Sequence, residues 1–195
     1  MNTQTPSSIA VDTIPTPNPE ALMFRVEQPF VDSGTFEYTS PDNAASAALP
    51  RRLFGLDAVR QVLVTSRFVT VNKHPAYTWP EIVPTIKELI RQHLSSGDPA
   101  VPEETLERQF DVTTGDVTSE LAQGVRQLID EEIRPAVAQD GGDVVFLGLT
   151  PANIVKVRLI GSCSSCPSAT ATLSMGIERL ICEEFPEVKG VEQEL

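Results

Sequence analysis

The chain has 195 residues, 41% of them hydrophobic, and a formal net charge of −12. That length allows one large domain or two small ones with packed cores. No apolar run approaches the roughly 18 residues of a membrane span, and no basic patch exists to hold nucleic acid.

The charge is uneven along the chain. Residues 97–118 carry six acidic groups and one Arg, and residues 119–195 carry twelve acidic and six basic groups. Such a surface favours solubility and repels DNA and anionic lipids. Residues 1–20 contain no Lys or Arg and no apolar h-region. That argues against a secretory signal and a mitochondrial transit peptide, so the expected compartment is the cytoplasm.

In chain order, Thr16-Pro17-Asn18-Pro19 is a turn-rich lead-in. Residues 21–26 are expected to form a strand, with 34–39 as its partner. Pro50 suits the first turn of a short helix ending near Gly55. The β-rich runs 59–64 and 68–72 predict a hairpin. Ile82, Ile86, Leu89 and Ile90 share one face of a helix over 79–94. Pro84 lies within its first turns and weakens it only locally.

Residues 97–117 are small, polar, Pro-bearing and acidic, which suits a flexible linker. Beyond it, Thr118 or Ser119 can cap a helix carrying Leu121, Val125, Leu128, Ile129 and Ile133, which Pro135 should kink or end. Gln139-Asp140-Gly141-Gly142-Asp143 predicts a turn, followed by strands over 144–149 and 154–160. The cysteine loop Gly161-Ser162-Cys163-Ser164-Ser165-Cys166-Pro167 comes next, then a helix over 168–184 and a closing strand over 188–194. The expected fold class is α+β: two small α+β domains, 14–96 and 118–195, joined by the flexible acidic linker 97–117.

Three cysteines are present: Cys163, Cys166 and Cys182. In a reducing compartment a close pair is more often metal-binding or catalytic than disulfide-bonded. Pro167 suits a first helical position, which places Cys166 near the positive helix end and favours its thiolate. Clusters and structural zinc usually take four protein ligands. Cys182 lies sixteen residues beyond Cys166, about 24 Å along a helix, and the two histidines, His74 and His93, lie in the other domain. One chain cannot readily supply four ligands, whereas two chains can, by pairing their loops about a two-fold axis.

Dithiol–disulfide exchange and a zinc-holding dimer remain as rivals. The order of elements is not a thioredoxin-like βαβ unit and no aromatic residue precedes Cys163, which favours the cluster. Cys182, beside Ile181, fits a small packing residue, Trp79 a packing anchor, and His93 a favourable charge at a helix C-terminus. Asp140 and Asp143 fit a turn better than an acid–base pair.

Ile133-Arg134-Pro135-Ala136-Val137, Asp140-Gly141-Gly142-Asp143, the loop from Gly161 to Ser168, Gly176-Ile177-Glu178 and Pro186-Glu187-Val188 resemble the NifU C-terminal domain. Thr16-Pro17-Asn18-Pro19, Leu53-Phe54 and Trp79 with Pro84 resemble the N-terminal domain of Nfu proteins. The resemblance implies an iron–sulfur cluster carrier and not an enzyme. It implies a [4Fe–4S] cluster shared by two chains through Cys163 and Cys166, a homodimer when loaded, and delivery to apo iron–sulfur proteins from an upstream assembly system. It assigns target choice or interaction to the first domain.

Overall fold

The computed structural model describes residues 9–102, 105, 114–162 and 167–194, and of residues 167–172 the backbone alone. It contains two α+β domains. The first holds a five-stranded antiparallel sheet ordered β1-β2-β5-β4-β3. The strands are β1 (Asp12–Pro15), β2 (Ala21–Arg25), β3 (Phe36–Tyr38), β4 (Val59–Val64) and β5 (Phe68–Lys73), and the helices α1 (Ala48–Leu53) and α2 (Trp79–Ser96) pack with them.

Alternation along the strands divides the sheet into two faces. Phe24, Val62, Val64, Val69 and Val71 join Leu49, Leu53, Ile82, Ile86 and Ile90 in one apolar core. Helix α2 starts at a capping box: Thr78 N–H donates to Glu81 Oε2 at 2.9 Å and the hydroxyl does so at 2.7 Å. It stops at Gly97, whose φ of 72° supplies the left-handed residue a helix end prefers. Trp79 anchors the helix start, its indole N–H reaching the Pro19 carbonyl at 2.9 Å.

Two expectations for this domain change. Strand β3 pairs with β4 and not with β2, because β5 already occupies the inner edge of β2. The turn-rich lead-in is preceded by β1, which lies on the other edge of β2. Its Pro15 is tolerated on an edge strand, where a missing donor costs no ladder bond.

The second domain places α3 (Glu120–Leu128), a π-helical turn (Ile129–Ile133), α4 (Arg134–Gln139) and α5 (Pro167–Glu184) with a three-stranded sheet. Its strands are β6 (Gly142–Leu149), β7 (Ile154–Gly161) and β8 (Gly190–Gln193). Ser119 caps α3 by accepting the Ala122 N–H at 3.2 Å. Strands β6 and β7 are antiparallel, and β7 and β8 are parallel, with α5 as the crossover that a parallel pair requires. Val125, Ile129, Ile133 and Val137 meet Val144, Phe146, Val157, Leu159, Ile177 and Ile181 in a second core. Pro135 does not end the helix. The π turn just before it, where Arg134 N–H reaches the Ile129 carbonyl, absorbs the irregularity, and helix continues to Gln139.

The two ends of the stretch expected as linker are anchored. Ala100 and Val101 are buried in the first core, and Arg52 pairs with Asp98 at 3.2 Å. Thr114 N–H donates to the Leu147 carbonyl at 2.9 Å and Asp116 bridges to Leu149. Residues 103, 104 and 106–113 lie outside the described residues. No helix among the described residues is long and apolar enough to cross a membrane.

Candidate functional site

The cysteine loop leaves from the end of β7. Gly161 pairs with Gly142 in the last register position of β6 and β7. Its φ is +79°, and a Cβ there would fall 2.8 Å from the Gly141 carbonyl and 2.6 Å from Leu63 Cδ2 of the first domain. Only glycine allows both the left-handed backbone and this approach. Ser162 is 2% exposed. Its N–H reaches the Gly141 carbonyl at 3.3 Å and its hydroxyl donates to the Asp140 carbonyl. Helix α5 begins at Pro167. Cys163 and Cys166 themselves lie outside the described residues.

The second face of the first sheet sits over this root. Gly161 N–H donates to Glu37 Oε1 at 2.7 Å, and Gln61 Nε2 donates to the same oxygen at 2.5 Å. Asn72 Nδ2 donates to the Gly161 carbonyl at 3.3 Å and to Gln61 Oε1 at 2.9 Å. Gln61 Nε2 also approaches the Gly161 carbonyl at 3.5 Å. Asn18 Nδ2 donates to the Ser162 carbonyl at 3.1 Å. Buried polar groups hold their place when they are hydrogen-bonded in this way.

A second anchor lies at the start of β6. Asp143 is 5% exposed and takes a two-pronged pair from Arg134, Nε to Oδ1 at 2.9 Å and Nη2 to Oδ2 at 2.8 Å. The Asp143 carboxylate is the first cause of the raised Arg134 guanidinium pKa. Thr35 of the first domain donates to Asp143 Oδ2 at 2.5 Å.

The turn expected over Gln139 to Asp143 is shorter than predicted: Asp140 and Gly141 make it, with Gly141 at φ 77°, while Gln139 ends α4 and Gly142 and Asp143 already belong to β6. The ion pair at its end escapes the sequence reading, because Asp beside two glycines already has a sufficient explanation as a turn residue. The residues gripping the loop root escaped it too, for they come from four separate segments.

The remaining candidates fall away from this site. Cys182 is half-buried against the second core, and burial pushes its thiol pKa up. His93 is 2% exposed. Burial and, second, the Arg52 charge lower its pKa, so a cation at the helix end no longer explains it. No group of three or more His, Cys, Asp or Glu that could hold a metal occurs among the described residues.

Comparison with known proteins settles the lineage. The family profile "Scaffold protein Nfu/NifU N terminal" matches residues 11–97, and "NifU-like domain" matches 125–192. "NifU-like protein 5, mitochondrial" of Arabidopsis thaliana is 37% identical over 185 residues, covering 94% of this chain and 67% of that protein. The Homo sapiens "NFU1 iron-sulfur cluster scaffold homolog, mitochondrial" is 36% identical over 184 residues, covering 94% and 71%. The chain belongs to the Nfu family of NifU-like proteins. It spans about two thirds of the length of the curated relatives it matches.

Membership makes an iron–sulfur cluster the expected cargo, and Nfu relatives are named as scaffolds. The cytoplasmic expectation is overturned. The relatives are named mitochondrial, which points to mitochondria rather than the cytoplasm. The composition of the first twenty residues did not decide the compartment.

Proposed function

We propose that this Nfu protein is a carrier whose cargo is an iron–sulfur cluster, held by Cys163 and Cys166 of two chains and handed to apo-proteins. The observation that carries the reading is the framing of the pair. Cys163-Ser164-Ser165-Cys166 occupies the four positions between buried Ser162, the residue that follows β7, and Pro167, the first residue of an 18-residue helix. A helix N-terminus favours thiolates over thiols, and thiolates are the species that ligate iron. Each chain offers two such ligands, and a four-ligand cluster therefore calls for two chains.

A [4Fe–4S] cargo shared in this way is half-held by each subunit. Release is ligand exchange: incoming thiolates of a recipient protein replace Cys163 and Cys166. No bond of an organic substrate is made or broken, so the activity is that of a carrier and not an enzyme. The upstream partner is an assembly system and the downstream partners are apo iron–sulfur proteins. The first domain is assigned to interaction and the second to cluster binding, and the ends of the stretch between them, 97–117, pack on the two domains.

The test is anaerobic reconstitution with ferrous iron and sulfide, with metal and sulfide analysis of wild type, Cys163→Ser and Cys166→Ser. Wild type is expected to bind about four irons and four sulfides per two chains, and each variant to stay colourless while remaining folded. A wild type that binds no iron yet reduces disulfides would replace the carrier by a dithiol oxidoreductase.

A further inference from the structure

We infer that the first domain grips the root of the cysteine loop at Gly161 and Ser162, and that Glu37 is the positioning residue of that grip. The inference deepens the carrier reading, and only its second arm below rests on that reading.

An antiparallel sheet can leave one face to water. The second face here is instead buried, with Met23 1%, Leu63 0%, Thr70 1% and Asn72 3% exposed. Leu63 and Thr70 are two of the side chains that close on Gly161 and Gly141. The fit is so close that a single added Cβ at Gly161 would overlap Leu63.

Within that apolar surround, polar side chains converge on one peptide unit. Glu37 from β3 takes the Gly161 N–H, while Asn72 from β5 and Gln61 from β4 approach its carbonyl. Gln61 and Asn72 are also cross-strand partners, and the β4 irregularity between Val59 and Gln61 lies immediately before the pair. Asn18 adds a bond to the Ser162 carbonyl, which belongs to the peptide bond joining Ser162 to Cys163. The side chain of Asn18 is itself oriented, since its Oδ1 accepts the Glu20 N–H at 3.0 Å.

Each gripping side chain is thus held by a second bond. The backbone leading to the first ligand is fixed from both domains at once. Holding one end of a ligand loop removes ordering cost at the moment the cargo binds, and a site works to the tolerance its supporting residues impose. Glu37 stands at the centre, because it joins the Gln61–Asn72 pair to the only backbone donor of Gly161. An interface that merely held two domains together would not need to converge on the residues next to Cys163.

The experiment has two arms on the full chain, with wild type, Glu37→Ala and Glu37→Gln. The first follows amide hydrogen exchange of Gly161 and Ser162 in the cluster-free protein. Glu37→Ala is expected to lower protection at Gly161 roughly tenfold while the core amides of both domains keep theirs. Glu37→Gln, whose amide oxygen still accepts, restores most of it. Equal exchange at Gly161 in wild type and Glu37→Ala, with both cores protected, would overturn the inference.

The second arm measures extraction of iron from the reconstituted protein by a chelator. Loss is expected to be about tenfold faster in Glu37→Ala and close to wild type in Glu37→Gln. Loss at the wild-type rate in both variants would show that the clamp does not position the ligands. A wild type that binds no iron would remove the carrier reading, while the first arm would still decide the clamp.

Discussion

The two faces of the first domain's sheet bury different chemistry. Toward α1 and α2 the sheet is apolar, and Phe24, Val62, Val64, Val69 and Val71 are 0% exposed. Toward the second domain it is mixed: Met23 and Leu63 lie among Glu37, Gln61, Thr70 and Asn72. The first face has the non-directional burial that makes a fold. The second has directional bonds that fix where one particular backbone segment sits. Stability and positioning are thus carried by opposite sides of one sheet. The strongest changes should therefore follow damage to the apolar face, and the most selective ones damage to the polar face.

The largest expected effect is on the apolar side. Ile86→Ala, at a fully buried position of α2, should remove about 3 kcal/mol from the first domain through lost transfer energy and a residual cavity. Denaturant titration checks it, and a loss below about 1 kcal/mol would mean the core can collapse around the gap. Next comes Asp143→Ala. It removes the main partner of the Arg134 guanidinium, which is 38% exposed and keeps Asp130 at 3.0 Å, so the loss is one of charge-assisted hydrogen bonds and comes to about 2 kcal/mol. The damage should fall on the second domain, seen as a lowered midpoint for that domain in calorimetry.

The turn at Asp140 and Gly141 was legible in the sequence, and the pair that Asp143 makes just beyond it, in β6, was not. Asp-Gly-Gly-Asp satisfies every local rule for a turn, so nothing in it signals a buried charge. The same limit applied elsewhere. The helices were legible because α2 and α3 repeat their apolar residues at helical spacing, and the hairpin of β4 and β5 because β-rich runs flank a short turn. Strand β1 was hidden, since Asp12-Thr13-Ile14-Pro15 is short and ends in proline. The partner of β3 was misassigned because sequence order favours the nearest strand, while the sheet gave that edge to β5. The cysteine spacing is visible in the sequence. The contacts at Gly161 and Ser162 are not, for Asn18, Glu37, Gln61 and Asn72 meet only after the sheet has formed.

A smaller effect tests the polar contact alone. Thr35→Val removes one bond to Asp143 and leaves the Arg134 pair in place. It should cost about 1 kcal/mol, seen as a lowered unfolding midpoint of the full chain. An unchanged midpoint would remove Thr35 from the account of how the domains join.

The smallest effect is one of pH. Burial, then the Arg52 charge, holds the His93 imidazole below its ordinary 6.5, against the opposing pull of Asp98. The fold thus favours the neutral ring. That stabilisation is complete above about pH 6.5 and is lost as pH falls through the lowered folded value. The first domain's unfolding midpoint should drop on going from pH 7 to pH 5, and His93→Leu should flatten the slope. A wild type with no slope in this window would contradict the buried neutral histidine.

The proposal that two chains share one cluster through Cys163 and Cys166 is tested by native mass spectrometry of anaerobically reconstituted protein. The expected species has the mass of two chains plus one cluster of about four irons and four sulfides, lost in both Cys163→Ser and Cys166→Ser and retained in Cys182→Ser. A cluster carried by a single chain, or a loaded pair that survives both substitutions, would contradict it.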